Sequence, residues 1–341
     1  MAEESVVEES VAKPCADGAR ERHDPLIATA PPVHRWLLLE QPRGWPSAIL
    51  TSPELTPYRQ RIAAIVSTRR ARMVLVRRHG RAEGGRGDGD QAGGRGGIPE
   101  PLTWVVVDPL TATEESGVWS LGAPPDPGLA AALAAFEAAG PLPEAASERL
   151  LVCTHGRHDP CCATRGRPVA AALAARFPHE TWETSHVGGD RFAANLVVLP
   201  SGTYYGALDP ASAIHVVLAH RAGRVAATNL RGVTTRSPVA QAALTGVLDA
   251  LGPASLPELV CRVLPPEATT PGPGAALAGV QSEANHGTWR VQVTGHPANA
   301  RVLVEVRRGI LPRERRSCHA EAAEVAVTYF VRIIVVGEEN A

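Results

Sequence analysis

The sequence predicts an α/β fold built from two similar units, and three observations lead there. Short apolar or β-branched runs alternate with Ala/Leu-rich stretches of helical spacing, the pattern of strands and helices in turn. Between residues 150 and 222 these runs follow the order β-α-β, a loop, then β-β-α. The same order recurs between residues 36 and 140. It is the minimal thioredoxin-like layout, so two thioredoxin-like lobes are expected, the first degenerate, with a small C-terminal β element after them.

Residues 1–24 open with MAEESVVEESVAK, polar and acidic, without a basic n-region or an apolar h-region. They are expected to form a disordered tail and not a secretory signal. Cys15 has no ligand-type neighbour at metal-site spacing and is expected to be an exposed or loosely packed thiol. The first lobe, 25–145, holds an apolar strand at 36–40, the loop QPRGWP, helical spacing over 54–66 and a strand at 73–77. A strand pair at 104–108 and 117–121 and a helix at 128–139 complete it. Residues 79–97, HGRAEGGRGDGDQAGGRGG, are too poor in apolar side chains to offset their chain entropy and should be a flexible loop. They contain no Walker A motif and no G-x-G-x-x-G after a strand.

The second lobe, 146–255, starts with an apolar strand at 150–153, then an Ala/Leu helix at 168–177 and a strand ending at Thr184. Strands at 195–199 and 203–208 flank a turn at Ser201 and Gly202, and helices follow at 211–222 and 238–251, the latter with Pro at its tolerated first position. Arg231 and Arg236 flank Gly232 in a polar loop, expected to be solvated, from which arginines could steer an acidic redox partner if it faced the site. Residues 256–341 are read as a Pro/Gly-rich linker at 265–274 and a β appendage with strands at 288–294, 301–307 and 328–336. Within them Cys318 and His319 are expected in a surface loop and Cys261 as a packed thiol.

At 341 residues, with 44% hydrophobic residues and a formal charge of -1, the chain can bury a core in more than one domain. The absence of a long apolar run argues against a membrane span, and no basic stripe interleaved with aromatics calls for nucleic acid. A cytoplasmic location is expected, where six cysteines are free or metal-bound rather than paired.

The chemistry is concentrated at 150–206. Cys153, Cys161, Cys162, His155, His158 and His186 lie in two loops that the thioredoxin-like layout brings to the same end of the sheet. Two thiols and an imidazole suit an iron-sulfur centre or, with a carboxylate, tetrahedral zinc. A thiol reading, with Cys161-Cys162 as a vicinal pair or Cys153 as a nucleophile beside His155, stays open. There is no Cys-x-x-Cys, G-x-S-x-G elbow or HExxH to support a familiar oxidoreductase or hydrolase.

The pattern Cys153-x8-Cys162, then His186-x-Gly188-Gly189 and an Asn-Leu-Val-Val-Leu-Pro strand, resembles the sucrase/ferredoxin-like family of thioredoxin-fold [2Fe-2S] proteins. The resemblance implies cysteine thiolates on one iron and histidines on the other, the latter in a His-x-Gly-Gly-His motif. Cys153, Cys162 and His186 match; the last position is Asp190. Asp190 is therefore the first candidate for the fourth ligand, followed by Cys161 and then His155 or His158. Gly188 and Gly189 would let the backbone approach the cluster. The implied function is one-electron transfer or redox sensing with an unidentified reductase or acceptor. The alternative is a zinc- or thiol-dependent hydrolase or oxidoreductase using the same loops.

Overall fold

A computed structural model describes residues 13–80, 101–122, 125–265, 287–298 and 300–338. Among them the chain is a mixed α/β structure with six helices and two sheets, the larger of ten strands. The Gly/Arg loop expected at 79–97 and the linker expected at 265–274 fall almost entirely outside the described residues.

The elements repeat in order. The first set is α1 (Cys15–Glu21), β1 (Arg35–Glu40), α2 (Arg59–Arg69), β2 (Ala71–Arg77), β3 (Leu102–Asp108), β4 (Thr113–Trp119), α3 (Pro127–Glu137) and β5 (Glu144–Ala145). The second is β6 (Arg149–Cys153), α4 (Pro160–Arg176), β7 (Thr181–Thr184), β8 (Leu196–Leu199), β9 (Thr203–Tyr205), α5 (Pro210–Arg221) and β10 (Leu230–Val233). Both sets give the same strand arrangement outward from a shared seam: β2-β1-β3-β4-β5 on one side and β7-β6-β8-β9-β10 on the other. In each, the first two strands run parallel, joined by a helix, and the rest pair antiparallel.

Both faces of the sheet are covered, so its central strands are continuous apolar runs, as strands buried on two sides must be. The period of two divides them. Leu37 and Leu39 of β1 pack with Met73, Leu102, Leu129 and Phe136 on one face. Trp36 and Leu38 join Leu151, Cys153 and Tyr204 on the other. Each such side chain, fully buried, contributes about 1.5–3 kcal/mol of transfer free energy.

Three elements differ from expectation. The helix expected at 168–177 begins at Pro160, because the Asp159 side chain accepts the Cys161 N–H as its N-cap and Pro160 occupies the first position. Pro168 lies inside it. Cys161 and Cys162 thus stand on the first turn of a helix. The strand expected at 117–121 is centred earlier, at Thr113–Trp119, because Asp108 Oδ1 accepts from the N–H groups of Leu110 and Thr111 and closes a tight turn. Part of the tail expected to be disordered carries α1, whose Cys15 is buried and not the loosely packed thiol anticipated.

The C-terminal region adds α6 (Pro238–Leu251), β11 (Val260–Val263), β12 (Thr288–Thr294), β13 (Ala300–Glu314) and β14 (Glu324–Glu338), the four strands forming an antiparallel sheet. Leu244, Val247 and Leu248 of α6 bury the apolar side of this sheet, meeting Val291, Val293, Val302, Val304 and Val306. The turn between β13 and β14 returns to the main sheet, where Arg316 donates to Asp24 and Ser317 to Asp159.

The seam between the two halves is short: β2 and β7 pair antiparallel through Val76↔Thr184 and Arg77↔Glu183. Arg77 donates to Glu183 Oε2 through Nε and Nη2 at 3.0 and 2.8 Å, the Thr154 hydroxyl donates to the same oxygen at 2.9 Å, and His79 Nδ1 lies 2.8 Å from Oε1. Burial opposes the ionised carboxylate, but Arg77, His79 and Thr154 outweigh it and hold Glu183 below its ordinary value. With a depressed folded-state pKa, this stabilisation is complete above the unfolded carboxylate value and is lost as pH falls through the folded one. Glu183→Gln is expected to cost about 3 kcal/mol near neutrality, since it strands a buried guanidinium. In urea unfolding it should also flatten the loss of stability on acidification; equal acid sensitivity in both proteins would exclude Glu183 as the source.

Candidate metal centre

The end of β6, the first turn of α4 and the loop after β7 converge on one small volume. Cys153 ends β6 and points to the face shared with Leu151 and Trp36. Gly166, facing β6 from α4, permits that approach: a Cβ there would stand 2.0 Å from the Cys153 carbonyl oxygen. The helix therefore lies close enough for Cys162 to meet Cys153. Ligand atoms of Cys153, Cys162 and His186 all lie within 4.8 Å of one another, and those of His158, His186 and Asp190 form an overlapping group.

The groups are tuned against each other. Contact with Cys162 and with His186 outweighs burial and holds the Cys153 thiol below its ordinary value, while Cys162 is pushed up by Cys153 and by burial. The pair thus readily holds one thiolate. Burial works against the His186 imidazolium, but Asp190 and Cys153 raise it to about 9. His186 Nδ1 lies 2.8 Å from Asp190 Oδ1, off the direction of a ring N–H, so the contact is ionic and leaves the nitrogen without a directed hydrogen bond. Asp190 also accepts from Cys162 Sγ at 3.3 Å and lies 3.6 Å from His158 Nε2. The His158 and His186 rings stack at 3.8 Å.

The other sequence candidates separate. His155 uses both ring nitrogens: Nε2 lies 2.9 Å from the Pro46 carbonyl oxygen, and Nδ1 accepts from the His186 N–H at 3.3 Å. It positions the His186 backbone, and burial lowers its pKa to about 4. Cys161 faces away toward Cys15 and Cys318, whose sulfurs lie 3.7 and 3.4 Å from its own. Cys318, expected in a surface loop, is half-buried there. Cys261 is half-buried against the main core, as a packed thiol should be.

Sequence reasoning missed the residue beneath the glycine loop. Arg231, expected on a solvated loop, is buried, and its pKa is lowered to about 10 by that burial. It donates to the Gly188 carbonyl and Asn195 Oδ1, each at 2.8 Å, and to the Thr29 carbonyl at 2.7 Å and hydroxyl at 3.1 Å. Asn195 in turn donates to the Gly189 carbonyl at 2.9 Å. Gly189 has φ +83, and a Cβ there would stand 2.5 Å from the Arg231 guanidinium. Arg231 sits on β10, the third strand after this loop, and nothing in its sequence neighbourhood signals the role.

The two thiols are 1% exposed, whereas the His186 side chain is 27% exposed at the floor of an open cleft of about 920 Å³. His158, Asp190, Arg157, Arg191 and Arg316 line that cleft. The donor set, two soft thiols with an undirected imidazole nitrogen and a carboxylate, fits a thiophilic metal or an iron-sulfur centre.

A family model described as sucrase/ferredoxin-like matches residues 26–232, which include Cys153, Cys162, His186 and Asp190. Comparison with curated proteins and with solved structures finds no match. Among the described residues no helix is long and apolar enough to cross a membrane.

Gly166→Ala should force α4 off β6 and cost about 2 kcal/mol, the usual range for overpacking a tight contact. It should also speed alkylation of Cys162 in the apo protein; unchanged stability and reactivity would mean that this contact does not set the spacing of the two thiols.

Proposed function

Because the chain belongs to the sucrase/ferredoxin-like family, we propose that it carries a [2Fe-2S] cluster and acts in one-electron transfer or redox sensing. The observation that carries this reading is the convergence of Cys153, Cys162 and His186 within 4.8 Å, with Asp190 and His158 at the same imidazole. Cys153 and Cys162 would hold one iron; His186, with Asp190 or His158, would hold the other. Such a cluster supplies a one-electron couple whose potential rises when imidazole replaces thiolate.

The protein's own residues do the positioning. The Arg231 and Asn195 bonds fix the carbonyls of Gly188 and Gly189, which leaves that backbone free to lie close against a bound group. His155 anchors the His186 backbone from the opposite side, through the Pro46 carbonyl. Leu151, Trp36 and Tyr204 exclude water behind the thiols. Electron exchange would occur from the His186 side, where the cleft opens, and the Arg157, Arg191 and Arg316 rim suits an acidic reductase or acceptor.

In the same reading each repeat of the strand order is a thioredoxin-like lobe. The first, 25–145, is degenerate, with the cysteine-free loop 41–46 at the place of the ligand loop; the second, 146–255, binds the cluster, and 256–341 is an appendage. Six free thiols suit a reducing cytoplasm. Zinc is the competing occupant, since Cys2His with a carboxylate also suits its tetrahedral site, and a thiol- or zinc-dependent enzyme is the corresponding second function.

Anaerobically purified protein is expected to contain iron and acid-labile sulfide in equal amounts and to show a visible spectrum bleached by dithionite. Cys153→Ser, Cys162→Ser and His186→Ala should each abolish or shift that spectrum, and Asp190→Ala compared with His158→Ala should identify the fourth ligand. Zinc without sulfide at this site would replace the ferredoxin reading with the zinc one.

A further inference from the structure

A second donor cluster lies one helix position away. Cys15 of α1, Asp159 and Cys161 at the start of α4, and Cys318 of the β13–β14 turn place three sulfurs and a carboxylate oxygen within 4.8 Å of one another. We propose that these four residues bind a structural Zn²⁺ ion that ties the N-terminal helix and the C-terminal hairpin to the start of α4. The inference stands independently of the cluster reading above, because it shares no ligand with it.

Of the edges of this donor set, two match a tetrahedron around zinc and a third, between Cys161 and Cys318, is shorter. With Zn–S near 2.3 Å and Zn–O near 2.0 Å, the edges should be about 3.8 Å between sulfurs and about 3.5 Å between sulfur and oxygen. Cys15 Sγ lies 3.7 Å from Cys161 Sγ and 3.5 Å from Asp159 Oδ2, and Cys161 Sγ lies 3.4 Å from Cys318 Sγ. Three thiols sharing one contact point exceed what a disulfide uses, since a disulfide joins two and leaves the third with no role.

The surroundings are those of a ligand set. Asp159 is fully buried, and both its oxygens are oriented by hydrogen bonds: Oδ1 from the Cys161 N–H at 2.8 Å, Oδ2 from the Cys318 N–H at 2.7 Å and the Ser317 hydroxyl at 2.9 Å. Metal-bound carboxylates are held by outer bonds of this kind. The Cys15 N–H donates to Cys318 Sγ at 3.4 Å, a contact that favours a thiolate. Cys161 also sits in the first turn of the 17-residue helix α4, where the helix end favours negative charge. A cleft of about 570 Å³, lined by Pro14, Cys161, Arg165 and Cys318, gives an ion access. On binding, three thiol protons would leave to solvent as three Zn–S bonds form.

The ligands come from far apart in the chain: 146 residues separate Cys15 from Cys161 and 157 separate Cys161 from Cys318. The ion would therefore cross-link both termini to the helix that carries Cys162. Cys15 and Cys318 both lie outside the stretch, residues 26–232, that matches the family.

The test uses the full chain. The Cys153→Ser/Cys162→Ser variant, stripped of metal and titrated with Co²⁺, is expected to show thiolate-to-cobalt charge-transfer absorption with tetrahedral d–d bands. Adding Cys15→Ser and Cys318→Ser should abolish both. Bands that never form, or that survive the added substitutions, overturn the proposal. Since removing buried thiols can impair folding, wild-type protein is also alkylated with and without Zn²⁺ and read cysteine by cysteine by mass spectrometry. Zn²⁺ is expected to slow alkylation of Cys15, Cys161 and Cys318 roughly tenfold or more and to leave Cys261 unchanged. Equal rates in the two states, or a Cys161–Cys318 disulfide in place of bound zinc, overturn it. Loss of iron and sulfide from the other site with these outcomes intact would count against the cluster reading alone.

Discussion

The short ladder that makes one sheet of the two units ends on the Glu183 carboxylate. Two five-strand units could exist side by side without forming one sheet; β2 and β7 join them across only two residue pairs. So short a ladder supplies little backbone pairing, and the side chains at its end reinforce it: Arg77 from one unit, Thr154 and His79 from either side, all on one buried carboxylate. Thr154 directly follows Cys153. The same acid that joins the halves thus anchors the chain immediately beyond a predicted ligand.

From that seam outward, the site is assembled by residues from both units. Trp45 of the first unit packs edge-on to His155 at 5.7 Å, and the neighbouring Pro46 carbonyl lies against its ring nitrogen. Arg72 of β2 donates to the His186 carbonyl at 3.4 Å. The first unit lacks cysteines of its own in the corresponding loop, yet its loop and strand support the imidazole of the second. The first unit thus serves as a supporting wall for the imidazole of the second.

Much of this was legible in the sequence, and the parts that were not have two causes, one local and one of long range. Strands such as 36–40 and 150–153 and the helix 238–251 declared themselves through local apolar period and capping, which depend on neighbours in sequence. Cys153, Cys162 and His186 were singled out by the family resemblance, and the fold brings their ligand atoms together. The start of α4 was missed although Asp159 and Pro160 are a local start signal, because Cys161, Cys162 and Arg165 interrupt the Ala/Leu pattern that marks its later turns. Arg231, Cys15 and Cys318 were misjudged because their partners lie up to 303 residues away; nothing within a window of sequence separates a buried arginine or thiol of this kind from an exposed one. Burial and pairing at long range are properties of topology, and a single sequence carries them only implicitly.

Cys161 and Cys162 are neighbours that look to different destinations, and helical geometry is the reason: each residue advances the side chain by about 100° around the axis. One sulfur turns toward Cys153, the other toward Cys15 and Cys318. The vicinal pair therefore acts as a phase marker for α4. Inserting a single residue between Asp159 and Cys161 would carry Cys161 to the phase that Cys162 now holds and Cys162 about 100° past it, so that neither sulfur of the pair would face Cys15 and Cys318.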